Sequence, residues 1–151
     1  MLQIIAVGKK HEAWVEPGLE RYQKRLKQPY VIKWSLVPHS AHAGDRARLD
    51  ESERILVSLT ASDFVVLLDE TGKTFDSPAL ADFLEAKFTH AKNIVFVIGG
   101  AYGVSEALQA RADTVWSLSP LVFAHQLVRL ILVEQLYRAQ EISRGGGYHH
   151  S

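Results

Sequence analysis

Apolar runs alternate with amphipathic stretches along this chain. Leu2–Val7 (LQIIAV) is short, rich in β-formers and closed by Gly8. Ala13–Leu26 carries Trp14, Leu19, Tyr22 and Leu26 on roughly one side of a helical wheel, which predicts a helix with that face inward. Val31–Val37 alternates and stops at Pro38, the pattern of a strand near a sheet edge. After a loop at Ser40–Gly44, Arg46–Ala61 reads as a second helix with Leu49, Ile55, Leu56 and Leu59 toward the core. Asp63–Asp69 (DFVVLLD) and Asn93–Ile98 (NIVFVI) are almost continuously apolar, as strands covered on both faces are. Between them a turn at Glu70–Asp76 leads to Ser77, a good N-cap with Pro78 at the first helical position, and a helix to about His90. Gly99–Gly103 (GGAYG) is followed by a short helix, Ser105–Ala112, capped by Ser105, and a short strand, Thr114–Leu118. Phe123–Ser143 is a long, strongly apolar helix, and RGGGYHHS is a tail.

Strands separated by helices imply βαβ units, so the expected fold class is α/β, with a mainly parallel sheet and helices on both faces. The 151 residues suit one domain, 1–151. With 47% hydrophobic and 23% charged residues the chain has material for a full core and disorder is not expected. The absence of cysteine removes disulfides and thiolate chemistry. The first apolar run lacks a basic flank and is too short for a span, so a cytoplasmic protein with no membrane segment is expected. Seventeen basic against 17 acidic residues give zero formal charge, which counts against a nonspecific nucleic-acid binder but leaves room for a local patch. Arg21, Lys24, Arg25 and Lys27, with Lys9, Lys10 and His11, are either such a phosphate-contacting patch or a solvated helix face.

Ligands of open parallel sheets bind beyond the carboxyl ends of the strands. Those ends are Gly8–Lys9, Asp69–Gly72, Gly99–Gly103 and Ser117–Pro120, so the second half of the chain is the expected ligand-binding half. The Gly99–Gly103 cluster would let backbone approach a ligand closely, or is a plain tight turn. It is neither a dinucleotide fingerprint, which belongs after the first strand, nor a P-loop, which needs Gly-Lys-Ser/Thr. Asp69 could hold a ribose hydroxyl, whereas Glu70 reads better as a solvated turn residue. Glu134 and Arg138, four apart on the last helix, read as an ion pair. His125 and Arg129, also four apart, sit in the first turns of an apolar helix and need partners: a ligand, RNA or another subunit. Tyr148 and His149 could close over a base, or fray as termini do. The adjacent His149 and His150 have no further ligand at metal spacing, so no metal site is expected.

Taken in order, LQIIAVGKK, LLDETGK, FVIGGAYGVS, WSLSPLVFAHQLVRLILVEQLYRAQEI and the terminal RGGGYH resemble the RlmH (YbeA-type) methyltransferases of the SPOUT superfamily over essentially the whole chain. The resemblance implies an α/β domain with a C-terminal trefoil knot, acting as a homodimer. It implies methyl transfer from S-adenosylmethionine to N3 of a pseudouridine in 23S rRNA on the assembled ribosome. Carried over by motif, Leu68, Gly99 and Leu118, Ser119, Pro120, Leu121, Val122 and Phe123 would hold the cofactor. Tyr148 and His149 would cover the site, of this or the other subunit, with His149 the candidate proton acceptor and Tyr148 the stacking group. His125, Arg129, Arg138 and Arg144 would face RNA or the dimer partner. Two positions depart from the family pattern: Ala124 stands where Pro is usual before the helix histidine, and His150 where Arg or Lys is usual. A histidine is mostly neutral at pH 7, so RNA contact by the tail is the carried-over role this change affects most. Rival readings are a methyltransferase of the same fold acting on another RNA such as tRNA, a noncatalytic RNA- or ribosome-binding module, and a small-molecule binder.

Overall fold

A computed structural model, describing residues 1–90 and 93–150, resolves the alternation into ten elements. Strands β1 (Leu2–Val7), β2 (Ile32–Val37), β3 (Asp63–Lys73), β4 (Asn93–Ile98) and β5 (Thr114–Trp116) form one sheet in the order β2-β1-β4-β3-β5. Every neighbouring pair is parallel, so the expected sheet is parallel throughout. Helices α1 (Glu16–Gln23), α2 (Gly44–Ser58), α3 (Ser77–Phe88), α4 (Glu106–Arg111) and α5 (His125–Ser143) cover its two faces.

The period-2 alternation of strand side chains sorts the core into two layers. Leu2, Ile4 and Ala6 of β1 and Ile94, Phe96 and Ile98 of β4 pack with Leu19 of α1, Leu80 and Leu84 of α3, and Leu132 and Leu136 of α5. Ile5, Val7, Val65, Leu67, Val95 and Val97 point the other way, against Ile55 of α2 and Leu108 of α4. Each such Leu, Ile or Phe contributes roughly 1.5–3 kcal/mol by leaving water. The central strands therefore have no polar face, which is why β3 and β4 read as continuous apolar runs. β2 lies at one sheet edge, as Pro38 suggests, and the three-residue β5 at the other.

Several boundaries and faces differ from the sequence reading. The first helix begins at Glu16, with Pro17 in its opening turn, so Trp14 lies outside it and is 57% exposed rather than inward. Leu49 of α2 is likewise exposed, and Ala47, Glu51, Ser52 and Ile55 form the buried face. Hydrogen bonding sets that face: Ser52 Oγ accepts from Ser105 N at 2.8 Å, and Glu51 Oε2 from Ser40 N at 2.9 Å. Strand β3 continues past Asp69 to Lys73 through a register shift, with Leu68 and Lys73 both paired to Trp116. The cap of α3 is Asp76, whose Oδ1 accepts from Ala79 N at 2.8 Å. Ser77, expected in that role, instead donates to Gln135 Oε1 of α5 at 2.8 Å. Ser105 does cap α4, accepting from Leu108 N at 3.1 Å. The last strand stops at Trp116 and the last helix starts at His125, which lengthens the loop between them. Among the described residues no helix is long and apolar enough to cross a membrane.

Gly72 lies in the shifted part of β3 against the backbone of β5. A Cβ there would sit 2.5 Å from the Val115 carbonyl oxygen, in contact with backbone that cannot rotate away. Gly72→Ala is expected to cost about 1–3 kcal/mol in urea denaturation and to displace the loop after β5. Unchanged stability would contradict this pairing of β3 with β5.

Candidate functional site

Because all five strands are parallel, the loops leaving their carboxyl ends gather on one rim of the sheet. A cavity of about 810 Å³ opens there. Val7 and Ile98 at the ends of β1 and β4 and Leu68 within β3 line it, with Gly99 and Gly100 after β4 and Leu118, Ser119, Leu121, Val122 and Phe123 after β5. The sequence-predicted positions Leu68, Gly99, Leu118, Ser119, Leu121, Val122 and Phe123 thus come together on one cavity, and Pro120 belongs to the same loop without lining it. Asp69 also lines the cavity, but its Oδ2 accepts from the Thr71 N–H at 3.0 Å and from the Thr71 hydroxyl. That carboxylate shapes the irregular stretch of β3.

The rim is held from α5 by Arg129, which is fully buried. A guanidinium has five N–H donors, and all are used. Nε donates to His125 Nε2 at 3.1 Å. Nη1 donates to the Lys10 carbonyl at 3.1 Å and to His11 Nδ1 at 3.0 Å. Nη2 donates to the carbonyls of Val7 at 3.0 Å and Gly8 at 3.2 Å. No donor is left for RNA or a partner subunit. The positive φ of Gly8, 120°, belongs to this arrangement, since a Cβ would lie 3.0 Å from Arg129 Nη2 and 3.2 Å from His39 Nε2.

His125 lines the cavity at the start of α5. Its Nδ1 lies 3.0 Å from the Gly99 carbonyl, which can only accept, so Nδ1 carries the proton and Nε2 receives Arg129. Burial and then the Arg129 charge lower its pKa to about 4, against the opposing effect of the Gly99 hydrogen bond. His11 is lowered as well, by burial and then by Arg129. Both imidazoles are therefore neutral acceptors at pH 7.

Two further residues complete the rim without having stood out in the sequence. Gln126 Oε1 accepts from Glu12 N at 3.0 Å, anchoring the loop after β1 to α5. The buried Glu51 of α2 approaches His39 at 3.8 Å, and His39 lines the cavity. Gln126 follows His125 directly, yet nothing local indicates that its partner lies 114 residues earlier.

The tail lies elsewhere. Tyr148 packs on Tyr137 with ring centroids 4.8 Å apart and donates its hydroxyl to Glu134 Oε1 at 3.0 Å. The Tyr148 pKa is raised, by burial first and then by Tyr22 and Glu134. Arg138 covers the Tyr148 ring at 4.7 Å, pairs with Glu134 at 2.5 Å as the spacing predicts, and donates to His149 Nδ1 at 3.1 Å. Arg144 is exposed at the C-cap of α5. The basic group after α1 is near the tail too, since Gln140 of α5 bonds the backbone of Arg25 and Lys27. Lys9 and Lys10 sit at the cavity end, so the two halves of the suspected basic patch lie at opposite ends of α5.

An open parallel sheet with an open cavity over its strand ends and a bonded polar network beneath is the layout of an α/β ligand-binding enzyme. The family described as "Predicted SPOUT methyltransferase" matches residues 1–149. Among curated relatives, the ribosomal RNA large subunit methyltransferase H of Geobacter metallireducens is 41% identical over 153 residues, covering 99% of each chain. The proteins of that name from Hahella chejuensis and Prochlorococcus marinus are 38% and 42% identical. They align with 98% and 97% of this chain and with 97% and 94% of their own lengths. The chain belongs to the SPOUT methyltransferases, in the branch that carries the name ribosomal RNA large subunit methyltransferase H.

Arg129→Met would leave the carbonyls of Val7, Gly8 and Lys10 without their donors. A loss of at least about 2 kcal/mol in denaturation is expected, and a variant as stable as wild type would remove Arg129 from its structural role. Stability should also depend on pH. An unfolded histidine takes up its proton near 6.5, while folded His125 stays neutral until about 4. Between those values the unfolded state binds more protons, so stability falls as pH falls, by up to about 1.4 kcal/mol per unit, and is flat above 6.5. His11 acts in the same direction. Denaturation midpoints of His125→Asn should fall less steeply than those of wild type over this window, and equal slopes would contradict the assignment.

Proposed function

We propose that this chain, as a single SPOUT methyltransferase domain acting as a cytoplasmic homodimer, methylates N3 of a pseudouridine in 23S rRNA on the assembled ribosome, using S-adenosylmethionine. The observation that carries the reading is the convergence of the family's cofactor loops on one cavity in a chain alignable end to end with relatives of that name. The cavity suits the cofactor: Leu68, Ile98, Leu118 and Phe123 offer an apolar slot for a flat base. Gly99, Gly100 and the loop Leu118–Phe123 bring backbone donors and acceptors to its wall. S-adenosylmethionine bound there supplies an electrophilic methyl group.

The residues of this chain supply position and a proton acceptor. Holding the base nitrogen in line with the methyl group accounts for most of the acceleration. The N3–H proton must leave as the N–C bond forms, and His149 is its acceptor once Nδ1 gives up its hydrogen bond from Arg138, with Tyr148 stacking on the base. Support for a composite site comes from α5. His125 lies at the cavity and Arg138, which holds His149, is 13 residues on, about 20 Å along the helix. With Arg138 occupying its Nδ1, His149 belongs to the far end of its own protomer, and a homodimer is what brings a tail to a cavity.

Ribosomes lacking the modification, incubated with the protein and labelled S-adenosylmethionine, should yield label in N3-methylpseudouridine of the large-subunit rRNA. Label in tRNA, or in no RNA while cofactor binds, would overturn the substrate assignment. His149→Asn should lower turnover by roughly 10²–10⁴-fold with cofactor affinity unchanged. Near-normal turnover would mean that the base loses its proton to water.

A further inference from the structure

Trp14 is the least expected side chain on the rim. It is 57% exposed, yet it is not loose. Its indole N–H donates to Glu12 Oε2 at 2.8 Å, and the Glu12 N–H is held by Gln126 of α5 at 3.0 Å. Two residues earlier the same loop is fixed through the Lys10 carbonyl and the His11 ring to Arg129. The one polar atom of the indole is thus engaged, and what it still offers is its π surface. Trp14 lines the cavity together with Leu121 and Val122, on a different loop from the residues assigned to the cofactor. Lys9 and Lys10, both exposed, precede it in the same loop.

An exposed aromatic ring held on a cavity wall, with two exposed lysines earlier in the same loop, has the chemistry that receives an unstacked nucleobase and its phosphates. Bases drawn out of a loop are stacked on aromatic side chains, and lysines meet the backbone. The chain carries no net charge, so this contact has to be local. The remaining basic cluster, around Arg25 and Lys27, is tied to Gln140 at the far end of α5 and cannot serve the same nucleotide.

We propose that the loop Lys9–Trp14 is the nucleotide-receiving wall of the cavity, with Trp14 stacking on the target base and Lys9 and Lys10 contacting flanking phosphates. The inference rests on the rRNA methyltransferase reading and deepens it.

The test takes the whole protein and two probes: a dye-labelled, single-stranded, uridine-containing RNA oligonucleotide followed by anisotropy, and unmodified ribosomes with labelled S-adenosylmethionine. Trp14→Ala is expected to weaken oligonucleotide binding by about tenfold or more and to lower kcat/KM for ribosomes similarly. Cofactor affinity by calorimetry and oligomeric state by light scattering should stay at wild-type values. Trp14→Phe should recover most of the loss. Lys9→Ala with Lys10→Ala should flatten the salt dependence of RNA binding. Unchanged RNA affinity in Trp14→Ala overturns the proposal. So does a loss that tracks cofactor binding, which would make the indole part of the cofactor wall, or one that tracks dissociation of the protein, which would make it an interface residue. If wild-type protein methylates no ribosome, the functional reading fails, and the oligonucleotide affinities of the variants still decide the role of Trp14.

Discussion

A buried guanidinium organises this molecule. Arg129 ties the end of β1, the loop after it and the first turn of α5 into one unit, and through His125 it reaches the Gly99 carbonyl after β4. Removing a charge from water is costly, and among the described residues no carboxylate pairs with this one. Its desolvation is offset instead by three carbonyls and two imidazoles, each placed on one branch of a planar fork. Lysine, with a compact charge and three donors, could not reach the same set. The arrangement also fixes the state of its neighbours: His11 and His125 must remain neutral to accept from Arg129.

The parallel sheet makes that anchoring useful. It delivers the loops that leave the strands to the same rim, where the buried polar side chains of α2 and α5 reach them. Helix α5 then divides the work by length. Its first turns hold the cavity, and its last turns hold the tail through Glu134, Tyr137 and Arg138. Holding both on one helix keeps the cavity and the tail of a protomer apart.

The strands, the Ser105 cap, the Glu134–Arg138 pair and the loops of the cavity were legible in the sequence. Each depends on a local signal: an apolar run, a capping hydroxyl, a helical spacing or a glycine cluster. What was not legible depends on distant partners. The Lys10 carbonyl that occupies Arg129 lies 119 residues away, and no periodicity reports it. The same spacing that marked His125 and Arg129 as needing partners could not tell RNA from backbone carbonyls. Trp14 and Leu49 were placed inward by helical wheels whose helices begin later, or whose buried face is polar. The tail could be read as frayed or as a cover; in the chain it packs along α5.

The polar face of α2 explains the second half of the rim. Glu51 is buried on the side of the sheet opposite α5, and its Oε2 holds the loop after β2 through Ser40 N. Its Oε1 has no hydrogen-bond partner among the described residues and points where a Cβ on Gly100 would be, 2.5 Å away. The second glycine of GGAYG is therefore required by a carboxylate. The buried Arg129 under the loop after β1 and the buried Glu51 under the loop after β4 lie on opposite faces of one sheet, with Gly8 and His39 between them. Each fixes backbone: Arg129 the loop after β1, and Glu51 the loop after β2.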